Sequence, residues 1–366
     1  PVQFQGVEYV RVGSYKKKLK DFPEKERSLW RIFDRVPFED LVAMPEVDEH
    51  AVLELLDYPS YFDLTGQRFP DGRSDILAAL ARDRLIVRND AGGWNITSLG
   101  AVLFAKTLDS FPRLGRKALR VIEYDGNSRV SSARERCFTR GYASGFEEMI
   151  DHVSRLVPSN EVINLAFRQD VPMYPEIAIR ELMANALIHQ DFLLSGAGPM
   201  VEVFSDRMEI TNPGAPLVEA ERFLDTPPRS RNEILASMMR RAGICEERGS
   251  GIDKVVFQTE LYQLPAPIFE VTSESTRSVL FAHRPLAKMD KADRIRACYL
   301  HACLKHVNRE FMTNSSLRER FGIEAKNSAS ASRLIKEALE AGMVIPHDAG
   351  AAPKLMRYVP HWALVD

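Results

Sequence analysis

The chain has 366 residues, 45% of them hydrophobic and 27% charged, with a formal net charge of −2 and a pI near 6.5. That length gives two or three domains with ample material for a core, and the near-neutral balance excludes a global attraction to nucleic acid, so any such binding must come from a local basic face. The four scattered cysteines, Cys137, Cys245, Cys298 and Cys303, fit a reducing cytoplasm rather than a disulfide framework, and no apolar run approaches the roughly 18 to 20 residues of a membrane span.

The opening VEYVRVGS predicts a strand entered mid-stream; with Pro1 in first place, the chain reads as a fragment of a longer protein. Lys16-Lys17-Lys18 is expected in a solvated loop, and residues 24–34 form an amphipathic helix. A short helix over 49–55 has Asp48 placed as its cap, and residues 72–82 form a longer one with Ile76, Leu77, Leu80 and Ala81 on its apolar face. LIVRNDAGGWNIT then reads as a hairpin, which completes the back half of a winged helix. An apolar helix over 98–105 and the alternating strand KALRVIEY follow.

Residues 146–156 are helical up to the break Pro158-Ser159-Asn160, after which INLAF is strand-like. A helix over 175–189 opens with Pro175 in its first turn. MVEVF and MEIT form two short strands around the turn Ser205-Asp206-Arg207. A helix over 233–242, Gly249-Ser250-Gly251 with another helix, and the strands PIFEVTS and SVLFAHR complete this part. Beyond Pro285, helices over 290–306, 313–320 and 328–341 and the strand-like MVIP and KLMRYVP make a winged helix-turn-helix.

Candidate chemistry sits in the middle. Glu181 and Asn185, four residues apart, share one helical face. An amide oxygen is a neutral hard ligand for Mg²⁺, and a neighbouring carboxylate can deprotonate a water that attacks a γ-phosphate. Exposed helices carry such a pair often, so it is weak alone. Asn212-Pro213-Gly214 closes a strand, where Gly214 can take an unusual backbone angle or admit a planar ring. Gly249-Ser250-Gly251 opens a helix whose N–H groups could cradle phosphate. Neither a Walker loop nor a G-x-G-x-x-G fingerprint occurs. His189-Gln190-Asp191 reads as helix-end capping and Asp206-Arg207 as hairpin chemistry.

Taken as one string, RELMANALIHQDF, VEVFSDRMEITNPG and RNEILASMMRRAGICEERGSGI resemble a divergent GHKL (Bergerat-fold) ATP-binding domain of the bacterial Schlafen AlbA-type regulator and RecG-like group. LIVRNDAGGWNITSLGAVLFA resembles that group's linker region, and VEYVRVGS the last strand of its AlbA-type domain. The resemblance implies an α+β fold: an α/β sandwich, with a mixed sheet and helices on one face, flanked by winged-helix modules. The expected units are 1–45, the end of an upstream AlbA-type domain plus linker helix; 46–116, winged-helix-like; 117–286, GHKL-like; and 287–366, the C-terminal winged helix-turn-helix.

The resemblance implies that Glu181 is the water-activating base and Asn185 the Mg²⁺ ligand, with Asn212 and Gly214 at the adenine and Gly249, Ser250 and Gly251 at the phosphates. Typical members have an Asp where Asn212 stands; an Asn must be oriented by a neighbour to present its oxygen. Residues 215–231 lack the glycine-rich lid pattern, so hydrolysis is expected to be slow.

Residues 288–366 carry 13 Lys/Arg against 9 Asp/Glu. In the last helix Ser328, Ser330, Ser332, Arg333 and Lys336 are the candidates for contact with double-stranded DNA. Cys298, His301, Cys303 and His306 spread around their helix and are read as core and surface residues rather than one metal site. The expected function is an ATP- and DNA-binding cytoplasmic regulator, with ATP and Mg²⁺ as ligands, in which nucleotide occupancy biases a homodimer and its winged helices. A non-enzymatic assembly module, or part of a nucleic-acid-processing or defence effector with its chemistry upstream, are the alternatives.

Overall fold

The computed structural model describes residues 6–13, 15–34, 36–157, 159–164, 167–246 and 249–363. Strands β1 (Tyr9–Val12) and β2 (Tyr15–Lys18) pair antiparallel and lead into α1 (Pro23–Asp34). The three lysines expected in a loop therefore occupy an exposed strand: alternation cannot be read from a run of identical side chains. Next come β3 (Val42–Val47), α2 (Glu49–Leu55), α3 (Tyr58–Leu64), α4 (Arg73–Arg82), β4 (Ile86–Arg88), β5 (Trp94–Thr97) and α5 (Ser98–Phe104). Helix α2 starts where expected because Asp48 accepts the Ala51 N–H at 2.7 Å. The three strands form an antiparallel sheet in the order β3-β5-β4.

The central part contains β6 (Leu119–Tyr124), β7 (Ala133–Phe138), α6 (Tyr142–Leu156), β8 (Ser159–Asn164), β9 (Phe167–Pro172), α7 (Glu176–His189), β10 (Met200–Val203), β11 (Arg207–Pro213), α8 (Glu233–Arg241), α9 (Gly251–Leu261), β12 (Ile268–Val271) and β13 (Ser275–Phe281). Ser159 and Asn160, expected to break the chain, begin β8, which pairs with β9; Pro158 and the middle of INLAF lie outside the described residues. Six strands form one sheet, ordered β12-β13-β11-β10-β6-β7, mixed because β10 runs parallel to β6 while the other neighbours are antiparallel.

Val201, Val203, Met208 and Ile210 alternate onto the sheet face that meets the core. The intervening Glu202 and Glu209 face the other way, where Arg129 binds both at 2.7 Å. Helix α7 packs on β11 and on α9, and its apolar residues run almost all round it, as a buried helix requires.

One hydrophobic core runs from Val52 to Leu280, so it continues across residues 116 and 117, where a domain boundary was expected. The boundary expected at 45 falls inside β3. Phe38 stacks on Phe192 with ring centres 4.3 Å apart, and the buried Glu39 carboxylate accepts the Leu235 N–H in the first turn of α8 at 2.5 Å. Both contacts tie the N-terminal stretch to the central sheet layer.

The C-terminal part consists of α10 (Lys291–Val307), α11 (Asn314–Phe321), α12 (Ser328–Glu340) and an antiparallel ribbon of β14 (Val344–Pro346) and β15 (Tyr358–Pro360). Asp290 caps α10, and Thr313 with Ser316 forms a capping box on α11. No helix among the described residues is long and apolar enough to cross a membrane.

Candidate functional site

Glu181 and Asn185 lie on the face of α7 that meets the start of α9. A Cβ on Gly251 would stand 2.7 Å from Glu181 Oε2 and 3.6 Å from Asn185 Nδ2, so only a glycine admits the carboxylate this close. Glu181 Oε1 accepts a hydrogen bond from Lys254 Nζ at 3.0 Å, and the same ammonium meets Glu246 at 2.6 Å. Burial works against the Lys254 charge, yet the Glu246 and Glu181 carboxylates hold its pKa above the ordinary lysine value. The Asn185 carboxamide is half-buried and makes no hydrogen bond to another described residue. Ser250, the N-cap of α9, does not use its hydroxyl as a cap. Gly249 has φ +68° and packs on Pro228, which turns the chain into the helix.

The second glycine turn lies further along α7. Gly214, with φ +95°, presses against Asp191: a Cβ there would be 2.7 Å from Asp191 Cβ. The Asp191 N–H donates to Pro213 O at 2.8 Å, and Arg231 clamps the turn by donating to Asp191 Oδ2 at 3.0 Å and to Ala215 O at 2.5 Å. Asn212 is buried, and its Nδ2 donates to Pro213 O at 3.2 Å, which fixes the amide and leaves Oδ1 without a partner among the described residues. Gly251 thus meets α7 at Glu181, near its middle, whereas Gly214 meets Asp191, two residues beyond its end; the helix between Glu181 and His189 alone spans about 12 Å.

The end of α7 is closed by its own polar residues. Gln190 Nε2 donates to Leu187 O at 3.1 Å and to the Tyr142 hydroxyl at 2.9 Å. Asn232 Nδ2 reaches Ile188 O at 2.7 Å and Gln190 O at 2.9 Å. Burial, aided by the nearby Arg231 charge, pulls the His189 pKa down to about 4. Lys117, also buried, donates to Leu194 O and Ala197 O at 2.7 and 3.0 Å; burial lowers its pKa to about 8 against the pull of Asp191. These groups hold the segment after α7 in place. A groove of about 580 Å³ lined by Phe62, Gln67, Arg68, Asp75 and Arg82 belongs to the N-terminal part and shares no residue with this constellation.

Lys254, Glu246 and Arg231 were not read from the sequence, and Asp191 was read only as helix-end capping. The signal for Lys254 was its position one helical turn after Gly251.

In the C-terminal part, Ala331, Leu334, Ile335 and Ala338 bury one face of α12. Ser328, Ser332, Arg333 and Lys336 are exposed and Ser330 half-buried. Asn314 Nδ2 donates to Ser332 Oγ at 3.0 Å, Arg333 donates to Ser330 Oγ at 3.2 Å, and Lys336 is 3.8 Å from Glu340. The His and Cys residues of α10 diverge. His301 bridges Glu260 and Ser316 at 2.9 and 3.0 Å, His306 meets the Trp362 ring edge-on, and Cys298 and Cys303 enter different apolar clusters.

Within this mixed α+β fold the comparisons support an ATPase-like domain. Residues 196–280 match the family model described as "Putative ATP-dependent DNA helicase recG C-terminal". The match spans β10 to β13 and takes in Asn212, Gly214, the Gly-Ser-Gly turn and Lys254; it begins after Glu181 and Asn185. The crystal structure of the DIP2311 protein from Corynebacterium diphtheriae is similar over 97% of this chain and 70% of its own, with 17% identity and a TM-score of 0.54, a likeness of fold. A search of curated proteins finds no match.

Proposed function

We propose that this protein binds ATP between α7 and the opening of α9 and uses the occupied state to regulate DNA binding by its C-terminal helices. One observation carries the reading: Glu181 and Asn185 on α7 meet Gly251 at the opening of α9, although they are far apart in the sequence. The ATP-dependent family match over 196–280 supports it from the other side. Backbone N–H groups of the first turn of α9, uncapped by Ser250, face the phosphates. Asn212, oriented by the Pro213 carbonyl, presents Oδ1 to the adenine amino group beside Gly214. The Asn185 carboxamide, which bonds to no other described residue, suits a Mg²⁺ shared with the phosphates, and that ion would supply neutralisation of phosphate charge.

Hydrolysis also needs a base beside the γ-phosphate. Glu181 accepts a proton from a water whose oxygen attacks the γ-phosphorus. The bond to the β,γ-bridging oxygen breaks, its electron pair leaves with ADP, and inorganic phosphate is the other product. The Glu181 contact with Lys254 favours a slow reaction, because the base is engaged by a cation. In the C-terminal part, three helices and a ribbon have the order of a winged helix, and α12 with its exposed Ser328, Ser332, Arg333 and Lys336 is the element offered to a DNA groove, most simply from a homodimer.

The test is turnover and binding by the wild type and Glu181→Gln. The variant is expected to keep Mg²⁺-dependent binding of an ATP analogue and to lose ATP hydrolysis; unchanged turnover removes Glu181 from its role. The same Lys254–Glu181 pair favours a second reading, an assembly module whose nucleotide site has lapsed. That reading expects no binding in either protein.

A further inference from the structure

We infer that Lys254 is the sensor of the γ-phosphate, holding Glu181 inactive while the site is empty and releasing it when a triphosphate arrives. The inference rests on the ATP-site reading above and adds to it the discrimination of ATP from ADP.

The ammonium of Lys254 is shared by two carboxylates, Glu181 Oε1 at 3.0 Å and Glu246 Oε1 at 2.6 Å, and its side chain is about one-third exposed. Glu181, by contrast, is largely buried, wedged between Lys254 and the bare Cα of Gly251. In that position one carboxylate oxygen is already occupied by the ammonium, so a water has to compete with Lys254 for it. The tie is reversible for a geometric reason. Lys254 stands on the first turn of α9, directly after the Gly-Ser-Gly turn, and its flexible four-carbon stem lets the ammonium swing while the helix stays fixed. Glu181 lies on the buried α7 and cannot follow.

A terminal phosphate placed next to Glu181, where a water must attack, lies within reach of the same ammonium. It offers more negative charge than either carboxylate, so Lys254 transfers to it and Glu181 is left free to accept a proton. ADP ends one phosphate short and leaves the Lys254–Glu181 pair closed. Binding of the triphosphate, exposure of the base and rejection of the product are thereby assigned to one side chain. Glu246 serves as the second anchor that keeps the ammonium at the mouth of the site in either state.

The experiment measures dissociation constants of the full chain for ATPγS and for ADP, both with Mg²⁺, in the wild type, Lys254→Gln, Lys254→Arg and Glu181→Gln, the last also in the Lys254→Gln background. Loss of one charge-assisted contact is expected to weaken ATPγS about 10- to 100-fold in Lys254→Gln and to leave ADP within about 2-fold. Lys254→Arg keeps the charge and most of the preference, and it serves as the control for folding. Glu181→Gln removes the competing partner and is expected to tighten ATPγS more when Lys254 is present than in the Lys254→Gln background, a comparison that separates release of the ammonium from simple relief of charge repulsion. Equal ATPγS-to-ADP ratios in the wild type and Lys254→Gln overturn the inference while leaving the ATP site standing. A wild type that binds neither nucleotide removes the ATP site itself and the inference with it.

Discussion

Gly251 and Glu181 are in contact in a way that only glycine permits: a methyl group at residue 251 would stand 2.7 Å from the Glu181 carboxylate oxygen. The obstructed atom is the end of a flexible side chain, so Gly251→Ala can be accommodated by displacing Glu181, and alanine suits a helix better than glycine. The variant is therefore expected to unfold within about 1 kcal/mol of the wild type while ATP turnover falls at least tenfold. Paired turnover and thermal-melt measurements check this; a well-folded variant with full turnover would separate Glu181 from the chemistry.

The His189 ring contributes a specific pH dependence. Its folded-state pKa is pulled down to about 4, chiefly by burial, from an ordinary value of 6.5. The unfolded chain thus takes up a proton between those values and the folded chain does not, so stability is complete above about pH 6.5 and falls as the pH drops toward 4. The loss has an upper bound of about 3 kcal/mol. His189→Gln should flatten that portion of the stability–pH curve relative to the wild type in chemical denaturation at pH 7, 5.5 and 4.5. Parallel curves would place the ring in contact with water.

Much of the fold was legible, and the reason differs from element to element. Asp48 announces its helix because a cap is a local hydrogen bond that needs no tertiary context. The hairpin of β10 and β11 follows from alternation around a polar turn. Helix α3 was missed although it is no shorter than α2, because its own cap, Asp57 accepting the Ser60 N–H, was not recognised. Strand β7 was missed because five of its six residues are exposed at the sheet edge, which removes the apolar alternation. Glu181, Asn185 and the glycine turn were proposed from the order of motifs, whereas the Lys254 contact with Glu181 and the Arg231 contacts with Asp191 and Ala215 join residues far apart in the chain, a relation no local pattern contains.

At the far end of α9, Glu260 is held by His301 at 2.9 Å and lies 3.6 Å from Arg320, whose side chain is 1% exposed. Burial lowers the Arg320 pKa below the ordinary arginine value, with Glu260 opposing the shift. Glu260→Ala leaves this guanidinium without its counter-charge and is expected to cost about 3–5 kcal/mol of stability. The loosening should fall at the junction between α9 and the C-terminal helices. Denaturant unfolding gives the size and amide exchange the location; a change below 1 kcal/mol would mean that the cluster is solvated.

The exposed face of α12 makes a separate prediction. Arg333→Ala and Lys336→Ala should each weaken binding to duplex DNA with little dependence on its sequence. Each should also reduce the slope of log affinity against log salt by about one. Fluorescence anisotropy at several salt concentrations measures both effects. Unchanged slopes would assign that face to something other than phosphate contact.

The most direct measurement is the unfolding midpoint of the full chain with Mg²⁺ and a non-hydrolysable ATP analogue, titrated to millimolar concentration. Saturable stabilisation is expected, reaching about 2.7 kcal/mol when the analogue stands at a hundred times its dissociation constant, and reduced by Asn185→Ala. A midpoint that stays fixed across the titration would contradict nucleotide binding between α7 and α9.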